Sequence, residues 1–155
     1  MQEKTSGNLF VIGQFALLGA LLLLPSRTDW TLDVVAKSFA FAFMAIGLSI
    51  ALASILKLGK SLSANPVPLE TAELKTSGMY AVVRHPIYLG ILMAAIGITS
   101  QTGSMWSLPI FVALATLLNF KARFEEKLLK GKFANYKEYA SRVGRLIPGV
   151  GKLKN

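Results

Sequence analysis

Apolar residues fall into four blocks along the chain, and polar and basic residues separate the blocks. They cover residues 9–24, 38–58, 86–100 and the first part of 105–130. At about 1.5 Å per residue, roughly 20 apolar residues cross a membrane core of about 30 Å. The second block is the strongest candidate, because it carries no charge before Lys57. We therefore predict four transmembrane helices, of which the short third and fourth form a helical hairpin.

Helix-ending and helix-starting residues stand at the breaks between the blocks. Pro25 ends the first block, and turn residues fill the polar loop at positions 59–85. Pro86 suits the first position of the third helix, because its missing N–H would have no partner there. The fourth helix can continue beyond the membrane as far as Gly131, a plausible C-cap.

The C-terminal tail, residues 132–148, predicts a helix that lies at the membrane interface. Its apolar residues recur at helical spacing with Lys and Arg between them, a pattern typical of interfacial helices. These apolar positions are Phe133, Tyr136, Tyr139 or Ala140, Val143 and Ile147. The predicted fold is an all-α integral membrane protein with one membrane domain over residues 1–155.

Composition and charge agree with a membrane protein and predict its orientation. The chain is 53% hydrophobic yet has a net charge of +9, with a mean hydropathy of +0.51, which is unusual for a soluble globule. Arg27 and Lys37 lie in or beside the first loop. The other fifteen of the 17 basic residues lie in the N-terminal tail, the second loop and the C-terminal segment. Four spans place those regions on one side, and the positive-inside rule makes that side the cytoplasm.

Several classes of function are not expected from this sequence. Basic residues at helix ends anchor to anionic headgroups, so the charge requires no nucleic acid partner. The absence of cysteine excludes disulfides and thiol nucleophiles, and a single histidine without HExxH makes a transition-metal site improbable. Asp29 and Asp33 are predicted to lie on the membrane face opposite His85, so no Ser-His-Asp triad is available. The first block has no cleavage site after it, and we interpret it as a retained helix.

Polar residues that could carry chemistry converge at one end of the predicted hairpin. Arg84, His85 and Tyr88 begin the third helix, and Glu125 and Glu126 extend from the fourth. In a hairpin these two ends meet at the same membrane face. Taken singly, such residues more often anchor or solvate a helix end. A non-catalytic membrane protein that binds lipid or a partner is therefore one open alternative.

Two segments carry a resemblance to a known family. "SGMYAVVRHPIYLG" followed by "FEEKLLKGKFANYKEYASRVGRLIP" resembles the isoprenylcysteine carboxyl methyltransferase and phospholipid methyltransferase superfamily of membrane enzymes. The likeness covers about residues 70–150. Ala134 departs from the pattern, since many members have Gly there, and the short "FANY" spacing is similar to bacterial members, which implies a bacterial inner membrane. The matching positions are Gly78, Tyr80, Arg84, His85, Pro86, Tyr88, Gly90, Glu125, Glu126, Leu129, Phe133, Arg142, Val143, Ile147 and Pro148.

The resemblance implies S-adenosylmethionine as cofactor, held at the cytoplasmic mouth of the hairpin. It implies a lipidic or isoprenoid-type acceptor, methylated on a carboxylate, thiol or amine, and membrane lipids as partners. Arg84 and Glu126 are the catalytic candidates, and Lys121, Arg123 and Arg142 are the candidates for holding the acceptor. The implied cofactor-binding residues are Ala72, Glu73, Leu74, Lys75, Tyr80, His85, Pro86, Ile87, Tyr88, Gly90 and Glu125.

A second alternative is an NADPH-dependent membrane reductase. Membrane sterol reductases resemble this chain in architecture and in the R-H-P-x-Y-x-G stretch. Their tails differ, with Asp-Glu and a Cys where this chain has Glu125, Glu126 and no cysteine. That difference favours methyl transfer over reduction.

Overall fold

The computed structural model describes residues 2–153, which form four long helices and one short helix. The long helices are α1 (Gln2–Leu23), α2 (Val34–Leu58), α3 (Pro86–Thr102) and α4 (Ser107–Lys132), and the short one is α5 (Tyr136–Arg142). Two 3₁₀ turns, Gly59–Ser61 and Gly78–Ala81, lie in the long loop before α3. Residues 2–153 contain no β-strand, so the all-α prediction is confirmed.

The helix ends follow local sequence. The Asp33 side chain caps α2 by accepting a hydrogen bond from the backbone N–H of Ala36 at 2.7 Å. Gly59, with φ at +53°, closes the C-terminus of α2. As predicted, α3 begins at Pro86, and Gly103 ends it in the left-handed conformation. The prediction placed the start of the first helix at position 9, whereas the structure extends it back to position 2.

The predicted helix over residues 132–148 is much shorter in the structure. Only α5 is helical, and the chain beyond it forms turns. The cause is competition for backbone hydrogen bonds: Arg84 N–H donates to Gly144 O at 2.8 Å and His85 N–H to Arg145 O at 3.1 Å. The tail thus lies beside the segment that precedes α3. The apolar residues of α5 are buried against the protein rather than turned to a membrane surface.

Small residues let α2 and α3 pack backbone to backbone. A Cβ atom at Gly90 would lie 2.4 Å from Gly47 O, and one at Gly97 would lie 2.7 Å from Ala40 O. No side chain fits in those gaps. Close packing of this kind stabilises helix pairs in lipid, because burial of apolar surface contributes little to helix association there. The closely packed helix pair of this fold is therefore α2 and α3.

The helices have the length and surface of membrane spans. α1, α4 and the stretch Val34–Ser61 are long and apolar enough to cross a membrane, while α3 is an apolar helix of 17 residues. Large apolar side chains are exposed along α1 and α2, for example Leu9 at 65% and Phe39 at 73%. Such a surface suits lipid and not water. The chain is an integral membrane protein.

Hydrogen bonds between loops show which loops lie at the same end of the helix bundle. At one end, Arg27 N–H donates to Thr102 O at 2.8 Å, which joins the first loop to the α3–α4 turn. At the other end, Asn65 Nδ2 donates to Lys4 O at 3.2 Å, which joins the long loop to the start of α1. The start of α1, the long loop and the C-terminal tail therefore lie together.

Candidate functional site

A cavity of about 400 Å³ lies at the end of the molecule that holds the long loop and the tail. All four long helices, the long loop and α5 contribute to its wall. Ten of the eleven cofactor-binding candidates line it: Ala72, Glu73, Leu74, Lys75, Tyr80, His85, Pro86, Ile87, Tyr88 and Glu125. The structure therefore brings the predicted residues from the loop, α3 and α4 together around one space.

Glu125 is held at the cavity wall by residues of the first turn of α3. Tyr88 Oη donates to Glu125 Oε2 at 2.7 Å. The His85 and Tyr88 rings are stacked, with centroids 5.3 Å apart and planes 2° apart, and His85 Nδ1 lies 3.6 Å from Glu125 Oε2. The Glu125 side chain stays 27% exposed. A carboxylate held in this way can bind a cation in the cavity while its own position stays fixed.

Lys121 is a buried cation on the same wall. Its side chain is 2% exposed, and Nζ donates to Gln14 Oε1 of α1 at 2.7 Å. Nζ also lies 5.1 Å from the centroid of the Tyr88 ring. No carboxylate of residues 2–153 makes an ion pair with it within 4.0 Å. Since an ammonium has three donors, Lys121 can bind an anionic or acceptor group that enters the cavity.

Glu126 and two arginines form a buried charged cluster beside the cavity. Glu126 Oε1 accepts from Arg84 Nε at 2.9 Å and from Arg84 Nη2 at 2.5 Å. Arg145 Nε and Nη2 donate to the two carboxylate oxygens at 3.0 and 2.9 Å. Glu126 is 2% exposed and does not line the cavity. Its carboxylate is bonded within the charged cluster, and the catalytic role that we expected for Glu126 stays a prediction.

Arg84 uses every donor it has inside the protein. Besides its two bonds to Glu126, Nη1 donates to Ala140 O at 2.9 Å and to Val143 O, and Nη2 donates to Gly151 O at 2.9 Å. A guanidinium has five N–H groups, and all five are engaged. Arg84, our other catalytic candidate, therefore fixes α5 and the tail to the start of α3. It also lines the cavity, and its catalytic role stays a prediction.

Three further predicted residues do not line the cavity. Gly90 packs against Gly47, so its role in the structure is helix packing. Arg123 is exposed on the outer face of α4. Arg142 is also exposed, and its Nη2 lies 3.3 Å from Glu138 Oε1. Of the residues predicted to hold the acceptor, only Lys121 reaches the cavity.

The sequence interpretation missed three residues. Gln14 lines the cavity, and a lone polar residue inside an apolar block was a signal that could have found it. Tyr136 also lines the cavity, although its spacing in the sequence predicts a residue of an interfacial helix. Arg145 completes the charged cluster, and no sequence signal distinguishes it from an ordinary tail arginine.

Two buried polar atoms at the cavity make no hydrogen bond within residues 2–153. They are His85 Nε2 and the hydroxyl of Tyr136. His85 Nε2 lies 3.4 Å from Glu126 Oε1, but without the geometry of a hydrogen bond. Buried polar groups nearly always have partners. Because His85 Nε2 faces Glu126, the Tyr136 hydroxyl is the atom of the two that suits a contact to a bound polar molecule.

The tyrosine hydroxyls outside the membrane-spanning helices are protonated donors. Burial raises the pKa values of Tyr80 and Tyr136 well above their usual range. For Tyr139, burial outweighs the opposing charge of Arg84 and raises the pKa to about 12. The Tyr139 hydroxyl donates to Tyr80 O at 2.5 Å. It therefore links α5 to the turn before α3.

Comparison with known families gives one match, to the phospholipid methyltransferase family. The family model matches residues 35–136, which is well over half of the chain. The matched region contains α2, the long loop, α3 and α4. Gln14 of α1 and Arg145 of the tail lie outside it.

Curated relatives share part of this region. The nickel-cobalt-cadmium resistance protein NccN of Alcaligenes xylosoxydans xylosoxydans is 31% identical over 88 residues, 56% of this chain and 41% of the relative. The cobalt-zinc-cadmium resistance protein CzcN of Cupriavidus metallidurans is 35% identical over 77 residues, 48% of this chain and 35% of the relative. A Delta(14)-sterol reductase of Mus musculus is 37% identical over 89 residues, 54% of this chain and 21% of the relative. The chain thus spans less than half the length of these relatives.

The names of two of these relatives concern resistance to metals. Within residues 2–153, no three or more His, Cys, Asp or Glu side chains are grouped so that they could hold a metal ion. The expectation of a metal-independent protein stays a prediction.

Proposed function

The chain belongs to the phospholipid methyltransferase family, and we propose that it transfers a methyl group from S-adenosylmethionine to a lipidic acceptor. One observation carries the proposal: Glu125, Tyr88 and His85 converge on a cavity whose lining is otherwise mostly apolar. We call the part of the cavity lined by Glu125, Tyr88 and His85 the polar mouth. It suits a charged cofactor, and the apolar interior suits the hydrocarbon part of a lipid.

Residues of the cavity wall fit the chemical groups of the cofactor. Glu125 offers a carboxylate to the ammonium group of the cofactor. The Tyr136 hydroxyl is buried and makes no hydrogen bond within residues 2–153, so it can bond to a polar atom of the ligand. When bound, S-adenosylmethionine supplies an electrophilic methyl group on its sulfonium.

Positioning and exclusion of water are the main tasks of the protein in this reaction. Methyl transfer to a carboxylate or thiolate is an in-line displacement, so correct alignment removes much of the barrier. His85 and Lys121 are 5% and 2% exposed, which supports a site from which water is largely excluded. An amine acceptor would need to lose a proton, and Tyr88, bonded to Glu125, is placed to take part in that transfer.

Lys121 and the apolar wall define the proposed acceptor subsite. Phe15, Leu18 and Ile91 line the cavity next to α1 and α3, where a hydrocarbon chain can lie. Lys121 then binds the polar group of the acceptor, most favourably a carboxylate or phosphate, because a buried ammonium gains most from an opposite charge. Since Phe15 is 60% exposed on the outer face of the bundle, the acceptor can enter sideways from the bilayer.

We propose four membrane crossings with both ends of the chain in the cytoplasm. The described ends of the chain lie on the same side as the long loop, which requires an even number of crossings. Most Lys and Arg residues are at that end, and the positive-inside rule assigns it to the cytoplasm. The cavity then opens where the cofactor is dissolved.

The experiment that tests this function is a ligand titration of the detergent-purified protein. S-Adenosylmethionine, S-adenosylhomocysteine and NADPH are each titrated by calorimetry and thermal unfolding. A ligand at a hundred times its dissociation constant stabilises the fold by about 2.7 kcal/mol. We expect stabilisation by both adenosyl ligands and none by NADPH.

The same titration separates the alternatives. Stabilisation by NADPH alone would support a reductase, in line with the similarity to the sterol reductase. No response to any of the three ligands in folded protein would contradict the methyltransferase and leave a non-catalytic membrane protein.

A further inference from the structure

Tyr136 is a buried residue of the cavity wall, and its hydroxyl has no hydrogen-bond partner within residues 2–153. Tyr136 is the first residue of α5, and its side chain is 1% exposed. Leaving a buried hydroxyl unpaired is destabilising and uncommon. Because the residue lines the cavity, a ligand in that cavity can supply the missing acceptor.

Tyr139 shows that burial in α5 does not by itself leave a hydroxyl unpaired. The two tyrosines are three positions apart, their ring centroids are 6.0 Å apart, and both are buried. The Tyr139 hydroxyl donates to Tyr80 O at 2.5 Å. The fold therefore satisfies one of the two hydroxyls and leaves the other at the cavity.

Tyr136 has apolar side chains around its ring, and the buried charged cluster of Glu126 and Arg84 lies near it. Leu74, Leu129 and Phe133 pack against its cluster and also line the cavity. Burial, and next the negative charge of Glu126, raise the pKa of the Tyr136 hydroxyl, so it is a neutral donor. A flat neutral heterocycle with ring nitrogens fits both the apolar wall and the single neutral donor.

We propose that Tyr136, together with Leu74, Leu129 and Phe133, forms the subsite for the adenine ring of the cofactor. The Tyr136 hydroxyl donates a hydrogen bond to one ring nitrogen. The assignment rests on the proposed function, because it requires an adenosyl ligand in the cavity. It also gives separate tasks to two parts of the cavity, with the adenine at α5 and the ammonium at Glu125.

The first test compares two variants that each remove one hydroxyl. S-Adenosylhomocysteine is titrated by calorimetry into the wild-type protein, Tyr136→Phe and Tyr139→Phe. A neutral hydrogen bond changes affinity by roughly two- to tenfold, so Tyr136→Phe should bind that much more weakly and keep its unfolding temperature. Tyr139→Phe removes a bond within the protein, so we expect a lower unfolding temperature and no comparable loss of affinity.

The second test identifies the atom that accepts the bond. The 1-deaza, 3-deaza and 7-deaza analogues of S-adenosylhomocysteine each replace one ring nitrogen by a C–H group. One analogue should bind the wild-type protein more weakly than the parent ligand does. Tyr136→Phe should bind that analogue and the parent equally, because the bond is already absent.

The outcomes separate this assignment from the proposed function. If the wild-type protein binds no adenosyl ligand, both are overturned. If the wild-type protein binds and Tyr136→Phe binds equally well, the subsite is overturned and the function stands. If Tyr136→Phe weakens every analogue by the same factor as the parent, the hydroxyl does not contact a ring nitrogen, and the adenine assignment is overturned.

Discussion

Glu125 and Glu126 are neighbours in sequence and have opposite environments. Glu125 lines the cavity, stays partly exposed and accepts one hydrogen bond, from Tyr88. Glu126 is buried outside the cavity wall and accepts four hydrogen bonds, two each from Arg84 and Arg145. One carboxylate has capacity for a ligand, and the other is saturated by the protein.

The difference comes from the helix itself. Successive residues on an α-helix point about 100° apart, so one glutamate faces the cavity and the next faces the tail. The charged cluster of Glu126 joins α4 to the start of α3 and to the tail, which are distant in sequence. Of these two neighbouring glutamates, Glu125 therefore faces the ligand and Glu126 stabilises the fold. Exchanging or neutralising the two should have separable effects.

The largest expected effect is the loss of stability caused by Glu126→Gln. The change leaves Arg84 and Arg145 buried without their carboxylate, and breaking a buried ion pair costs about 3–5 kcal/mol of unfolding free energy. Thermal unfolding in detergent should show a large drop in transition temperature.

Glu125→Gln is the matched control, with the same chemical change one residue away. It should unfold close to the wild-type temperature. Equal destabilisation of the two variants would contradict the division between scaffold and ligand residues.

Glu125→Gln should instead lose cofactor affinity. A hydrogen bond to a charged group is worth about 1.5–3 kcal/mol, so the dissociation constant of S-adenosylhomocysteine should rise roughly ten- to a hundredfold. Calorimetry on the folded variant measures this directly. An unchanged dissociation constant would show that Glu125 does not contact the ligand.

Lys121→Met should affect the acceptor and spare the cofactor. Loss of the buried ammonium removes the partner of an anionic acceptor group, and we expect its KM to rise about tenfold. Lys121→Arg should restore part of the loss, and Gln14→Leu should give a smaller rise because Gln14 only orients Nζ. Steady-state kinetics with varied acceptor would give these values. A fall in cofactor affinity in Lys121→Met would contradict the separate acceptor subsite.

The smallest expected effect is a change in how the unfolding free energy depends on pH. The pKa of Tyr139 is about 12 in the folded protein and about 10 for an unperturbed tyrosine. Between these values the unfolded state loses the proton first, so stability falls as pH rises from 10 to 12. Unfolding free energies measured across that window should decline, and the decline should be shallower in Tyr139→Phe. An equal slope in the variant would refute the assignment to Tyr139.

The sequence predicted the four long helices and part of the cavity wall, because both depend on local or near-local patterns. Apolar blocks and Pro86 defined the helices, and the hairpin placed His85 near Glu125. The sequence could not separate Glu125 from Glu126, because the difference depends on where the tail lies. Nor could it predict that α5 ends at Arg142, since the later residues bond to the segment before α3 and not to their own helix.

The most direct test of the central claim is transfer of a labelled methyl group into lipid. The protein is placed in vesicles made from total membrane lipids and supplied with S-adenosylmethionine that is radiolabelled on the methyl group. We expect label in the organic extract with the wild-type protein, and much less with Glu125→Gln at equal amounts of folded protein. Label that stays wholly in the aqueous phase while the wild-type protein binds the cofactor would contradict a lipidic acceptor.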